Sequence, residues 1–371
     1  MKIIFKRNIF EIIKIFLIKI NFKLYCNLYI LYIIMKKEDK KKKDYGISLL
    51  RVILSFMVVI NHFYDIKKRK KYLNILYYHI PTFFVISFYY NNKTLLSFDI
   101  KKIKLRFKRL IFPYFCWNTI SLLLNNIYYY LFKRKCAHTL FDFLIGLLSG
   151  RIFIVSLWYQ NILTFITLIM TIIIFLFKND YFLIFQILMI ISYRFQYSGE
   201  NYSFFTNNYK NIYSYTYGRI IDIFPEAVTG FFISSFTFKN KIYYNKIRTI
   251  LISIFILFIL SKYNFDESLK NFRYGGLRLN LAAVCLFLSF LLSFDKLKNS
   301  QIIKIIDLFS NYTAGIYFTH LVIGKSISVQ LLLGKNINTI FGCFIIYIIS
   351  YVFCVLIDKI ITNATFKNLI K

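Results

Sequence analysis

The stretch GISLLRVILSFMVVINHFYD, Gly46 to Asp65, decides how this chain is read. A run this apolar and this long suits a helix that crosses the roughly 30 Å hydrocarbon core of a bilayer. Within it His62 follows Arg51 by eleven positions. That is about three helical turns, which puts both side chains on one face, about 16 Å apart. Ionisable groups inside such a helix are costly and mark functional sites by default. Sharing a face, the two point to a protein interior or a wet cavity, an arrangement suited to catalysis or to transport.

The rest of the chain belongs to the same class. Of its 371 residues 58% are hydrophobic and 20% aromatic, with only 3 prolines, and the mean hydropathy is +0.56. Long apolar runs recur without the ten-residue alternation of an outer-membrane barrel. The expected fold is therefore all-α, a polytopic membrane protein with about ten transmembrane helices. A formal net charge of +33 would suggest nucleic acid in a soluble chain. Here most Lys and Arg fall in short loops between apolar runs, where they set topology and meet anionic headgroups. Membrane lipid is the expected partner and nucleic acid is not. The excess of Ile, Lys, Asn, Tyr and Phe follows the coding bias of an AT-rich genome. Six cysteines form no CxxC pair and read as small core residues, neither a disulfide framework nor a metal site.

Apolar segments lie near 46–65, 75–91, 110–132, 155–177, 180–196, 218–237, 248–263, 278–294, 312–333 and 338–361. An even count puts both ends of this core on one side. Placing Lys36–Lys43 in the cytoplasm also places Lys101–Arg109, Lys239–Arg248 and Lys296–Lys304 there. Lys67–Lys71 breaks the rule. The expected location is the plasma or inner membrane, multi-pass. Residues 1–43 form a basic N-terminal segment, which reads either as an interfacial helix or as sequence upstream of a start at Met35. Residues 44–362 make one transmembrane domain, and 363–371 a cytoplasmic tail.

His62 is the candidate base, since a neutral imidazole can take a proton from a hydroxyl near neutral pH. Asp65 lies three residues on and would orient the ring. The plainer reading is a helix-end histidine beside a solvated Asp65. In KKIKLRFKRLIFPY, Arg106 and Arg109 are three apart before Pro113. They suit phosphate binding, because guanidinium groups bind it bidentately and keep their charge. A topology signal explains the surrounding lysines. His320, in NYTAGIYFTHLVI, is either a core histidine or a site residue. Glu226, in FPEAVTGFF, either pairs with Arg219 or touches substrate. Trp158, in SLWYQN, is a belt aromatic or a stacking surface for a sugar ring. His79 could sit at an interface, and His138 is expected to be solvated. GxxxxGK[ST], GxSxG, HExxH and His/Cys clusters with metal spacing are absent, which disfavours a P-loop pump and a zinc protease. No metal site is expected.

Taken together, these motifs resemble the acyltransferase 3 family, membrane enzymes that decorate cell-surface carbohydrates. Arg51, ten residues, then His62 matches the family hallmark in the first core helix. FFVISFYY (Phe83 to Tyr90) is similar to its FFxxSG-aromatic segment, with Phe88 where glycine is usual. RFKRLIFPY resembles its arginine-rich stretch ending in proline, SLWYQN its Trp-Tyr/Phe segment, and YTAGIYFTH, with Tyr317 and His320, its late tyrosine-rich helix. The resemblance covers about residues 44 to 360. It implies acyl-coenzyme A, acetyl-coenzyme A in the simplest case, used from the cytoplasm, and a carbohydrate hydroxyl as acceptor. It also implies that His62 activates that hydroxyl or relays the acyl group, and that the arginines hold the donor. Arg51 is then a structural or donor-binding partner of His62. On a helix His62 lies about 24 Å from Gly46, away from the basic rim, so donor and acceptor would enter from opposite faces.

Two further functions stay in view. A polysaccharide exporter would use the same cavity without covalent chemistry. A glycan polymerase would want large outer loops carrying arginines, whereas the 197–217 loop holds only Lys210 as a basic residue.

Overall fold

A computed structural model of the chain describes residues 44–64, 78–131, 144, 147, 157–197, 212–235, 244–260, 277–292, 301–324, 334 and 338–360. Asp65, His138, the segments 1–43 and 363–371 and most of the 197–217 loop lie outside the described residues. Those described form helices and no strand. The helices are α1 (Tyr45–Phe63), α2 (His79–Leu95), α3 (Ile100–Leu131), α4 (Trp158–Leu176), α5 (Tyr181–Tyr197) and α6 (Ile212–Ile233), then α7 (Tyr244–Leu260), α8 (Leu277–Leu291), α9 (Gln301–Ser310), α10 (Thr313–Gly324) and α11 (Ile340–Ile360). Ten of these correspond to the ten apolar segments. The eleventh, α9, falls between the apolar segments, where Lys304 and Asp307 interrupt the apolar run. It is amphipathic, burying Ile303 and Ile306 while Ile302, Ile305 and Leu308 stay exposed. Three helices, α1, α4 and α11, are long and apolar enough to cross a membrane by length and composition.

Local signals set the helix starts. Asp44 precedes α1 and its Oδ1 accepts from the Ile47 amide at 3.0 Å, a capping contact that satisfies an otherwise orphaned donor. Pro81 falls in the first turn of α2, where its missing N–H costs little. Asp99 plays the capping part for α3, accepting from the amides of Lys101 and Lys102 at 2.9 and 3.3 Å. The Lys102 ammonium, 3.2 Å from Asp99 Oδ2, holds that carboxyl below the usual carboxylate range. Pro113 neither starts nor ends α3. The helix continues through it, losing one backbone bond to the carbonyl of Arg109.

Lipid is as apolar as a leucine side chain, so helix association in a bilayer draws on close packing and interhelical hydrogen bonds. Both are present. Exposed Ile187, Ile190, Phe341, Phe344, Val352 and Leu356 line outer faces, as lipid contact requires. Inside, Ser55 and Tyr347 hydroxyls meet at 3.0 Å, Asn280 Nδ2 donates to Tyr193 at 2.8 Å, and Tyr312 donates to Asp358 at 2.8 Å.

The tightest helix contact joins α2 and α6. Asn92 Nδ2 donates to the Phe231 carbonyl at 2.7 Å. A Cβ on Gly230 would overlap the Val85 carbonyl and come within 2.8 Å of Val85 Cα. Phe88 stands fully buried where the resemblance led us to expect a glycine, so the close backbone approach is supplied from the opposite helix. Gly230→Ala should therefore lower the thermal midpoint of the detergent-purified protein, at a cost of about 1–3 kcal/mol for overpacking. The obstructing atoms are backbone and cannot turn away. An unchanged midpoint would refute this contact.

Candidate functional site

The site is built first from α1 and α10. Arg51 Nη2 donates to Thr313 Oγ1 at 2.8 Å. Further along, the His62 ring lies 5.2 Å from the His320 ring at an interplanar angle of 42°. Both contacts advance in the same direction along the two helices, so α1 and α10 run parallel. The expected common face of Arg51 and His62 is thus the face that α1 turns to α10. At the far end Gly324 lies so close under Phe63 that a Cβ would overlap its ring. Glycine there lets α10 come up against the residue next to His62.

His320 is fully buried, and its Nδ1 lies 3.0 Å from the Ile316 carbonyl. A carbonyl can only accept, so Nδ1 carries the hydrogen and a neutral His320 presents Nε2 as an acceptor. Two imidazoles 258 residues apart in sequence, one of them with a defined tautomer, are thus brought ring to ring. Around them Phe63 and Tyr317 pack edge-on and tilted against His320, with centroids at 6.3 and 6.2 Å. Trp117 stacks on Phe318 at 6.0 Å. The surroundings are aromatic and close-packed, which keeps the rings oriented.

The second half comes from α3 and α4. Gln160 Nε2 donates to the Leu110 carbonyl at 3.1 Å, which ties the two helices together. Arg106, one turn before Leu110, shares that face. It is half-buried, and its buried Nε has no hydrogen-bond partner. Between the halves stands Tyr159. Its phenol lies within Coulombic range of both Arg51 and Arg106, and its ring meets Tyr317 at 5.5 Å. Among the described residues neither guanidinium forms an ion pair with a carboxylate. Two cations thus act on one phenol, and among the described residues no carboxylate pairs with either, which favours negative charge nearby.

The other candidates separate. Arg109 is exposed, so the expected pair divides: Arg106 turns inward and Arg109 outward. Trp158 is 6% exposed, an interior residue and not a belt aromatic. Its ring carries the Arg219 guanidinium at 4.9 Å. Glu226 is fully buried and neither carboxylate oxygen has a hydrogen-bond partner. Of the two readings for Glu226, the pair with Arg219 is therefore not formed. His79 is buried at 1% exposure and not interfacial. Asp65 lies outside the described residues. Among those that are described, no three His, Cys, Asp or Glu side chains gather as a metal site would need. Sequence reasoning passed over Tyr159, whose one signal was its place beside Trp158 in SLWYQN.

The described residues thus form helices that hold two facing histidines and two arginines unpaired with any described carboxylate. Residues 44–359 match the family described as an acyltransferase domain, and the chain belongs to that acyltransferase 3 family. No curated protein and no solved structure significantly matches the chain. Membership supports an acyltransferase activity carried in a membrane.

Proposed function

We propose that the chain moves an acyl group, acetyl in the simplest case, from acyl-coenzyme A to a hydroxyl of a cell-surface polysaccharide or glycolipid. The observation that carries this reading is the convergence on α10 of His62, through His320, and of Arg51, through Thr313. His62 takes the proton of the acceptor hydroxyl, and the freed oxygen attacks the thioester carbonyl. The carbon–sulfur bond breaks, and the thiolate leaves with the proton that His62 held. Arg106 and Arg51 hold the anionic part of the donor, with the exposed Arg109 at the entrance. Asp65, Trp158 and Glu226 are assigned to orienting His62 and to contacting substrate.

The ten-span topology, with both ends in the cytoplasm of a cell membrane, suits this division. The parallel course of α1 and α10 supports it, since they correspond to the first and ninth apolar segments and alternation makes such spans parallel. Donor from the cytoplasm would meet the arginines, and acceptor from the other face would meet His62. The test compares surface glycan from cells with and without this chain. Loss of ester-linked acyl groups on an otherwise intact glycan is expected. Glycan that disappears from the surface while keeping its composition would favour export instead.

A further inference from the structure

We propose that Tyr159 is a positioning residue of the donor site, with Ser87 aiming its hydroxyl at a phosphoryl group held between Arg51 and Arg106. The inference rests on the acyl-coenzyme A reading and adds to it two residues of distinct role.

The first support is the behaviour of Ser87. In this protein serine and threonine hydroxyls on helices commonly bond back to a carbonyl of their own helix: Thr82 to Tyr78, Thr167 to Leu163, Thr229 to Pro225, Thr319 to Gly315 and Ser350 to Ile346, at 2.6 to 2.8 Å. Ser87 does not. It turns across to α4 and meets the Tyr159 hydroxyl at 3.1 Å. Back-bonding is the usual resting place of such a group, so its absence marks a hydroxyl held for a partner.

The second support is hydrogen counting. Two hydroxyls bring two O–H donors, and the contact between them uses one. Among the described residues neither hydroxyl has another hydrogen-bond partner. With Ser87 donating, the Tyr159 O–H stays available in a place that is 9% exposed and within reach of two guanidinium fields. The ring is fixed by Phe84 at 4.6 Å and by Tyr317 at 5.5 Å, so the hydroxyl oxygen is held in place. Buried Arg106 Nε, without a hydrogen-bond partner, supplies a further donor. A phosphoryl oxygen, an acceptor with several lone pairs, satisfies this set. A neutral sugar hydroxyl would leave both cations unneutralised.

Coenzyme A and an anionic lipid headgroup share this chemistry, and coenzyme A is favoured because Tyr159 joins the arginines to Tyr317 and so to His320. The test titrates coenzyme A onto the protein in phosphatidylcholine nanodiscs, and again in discs containing phosphatidylglycerol. Tyr159→Phe keeps the ring packing and should weaken coenzyme A binding about tenfold or more, the size of a hydrogen bond to a charged group. Ser87→Ala should weaken it less. The double variant should bind like Tyr159→Phe alone, since Ser87 acts through Tyr159. Equal binding by wild type and Tyr159→Phe in phosphatidylcholine overturns the proposal, as does additive loss in the double variant. So does phosphatidylglycerol weakening coenzyme A binding to the wild type but not to Tyr159→Phe, which would give the site to a headgroup. Normal coenzyme A binding that depends on Tyr159, without any glycan acylation, would leave this inference standing and remove the proposed function.

Discussion

His62→Ala should reduce acyl transfer by a factor of about 10²–10⁴, the range a positioned general base contributes, while the protein accumulates in the membrane at wild-type level. The separation of the two readouts follows from the geometry. His62 sits at the end of α1 and is only partly buried, so its removal leaves no large cavity in the helix packing. Its ring faces His320, whose Nδ1 is engaged by the Ile316 carbonyl, so an alanine removes one half of the histidine pair. Labelled acetyl-coenzyme A and extracted glycan give the measurement. Transfer at near wild-type rate would remove His62 from the chemistry.

Arg106→Ala has the next largest expected effect, a rise in KM for acyl-coenzyme A of about 10- to 100-fold. A hydrogen bond to a charged partner contributes about 1.5–3 kcal/mol, and each 1.4 kcal/mol is tenfold in affinity. Arg106 is half-buried with a free buried Nε, and no carboxylate pairs with it among the described residues. Replacing it therefore frees no buried anion, and the loss should fall on ligand binding more than on folding. Arg106→Lys restores the charge but not the planar fork, so recovery should be partial. Arg109→Ala, at an exposed position, should shift KM far less. Equal effects of the two alanine variants would mean that burial does not separate their roles.

Much of the helix pattern could be read from the chain because long apolar runs declare helices directly, although among the described helices only α1, α4 and α11 are long and apolar enough to cross a membrane. Ten of the eleven described helices lie where those runs lie. The missed α9 is short and polar enough to look like a loop, and its amphipathic stripe has only ten residues in which to show itself. The site was legible in part for a related reason. Spacing on one helix tells which residues share a face, and it placed Arg51 and His62 together. It cannot tell which helix that face meets, so the contacts with Thr313 and His320 had to come from the structure. Tyr159 stayed hidden because an aromatic residue in an apolar run is ordinary, and its importance lies in a partner 72 residues away. Glu226 shows the opposite failure. Proximity along α6 suggested Arg219 as a candidate partner, but Arg219 lies over the Trp158 ring and the carboxyl is without a hydrogen bond. The missing glycine at Phe88 did not mean a loose contact, since Gly230 supplies the close approach from the other side.

The most direct test reconstitutes the purified protein in lipid with acetyl-coenzyme A labelled in its acetyl group on one side and a polysaccharide acceptor on the other. Label recovered on the acceptor as a base-labile ester, dependent on His62, is the result that the paired histidines and converging arginines predict. Acceptor that crosses the membrane unlabelled, equally well with His62→Ala, would contradict acyl transfer as the work of this site.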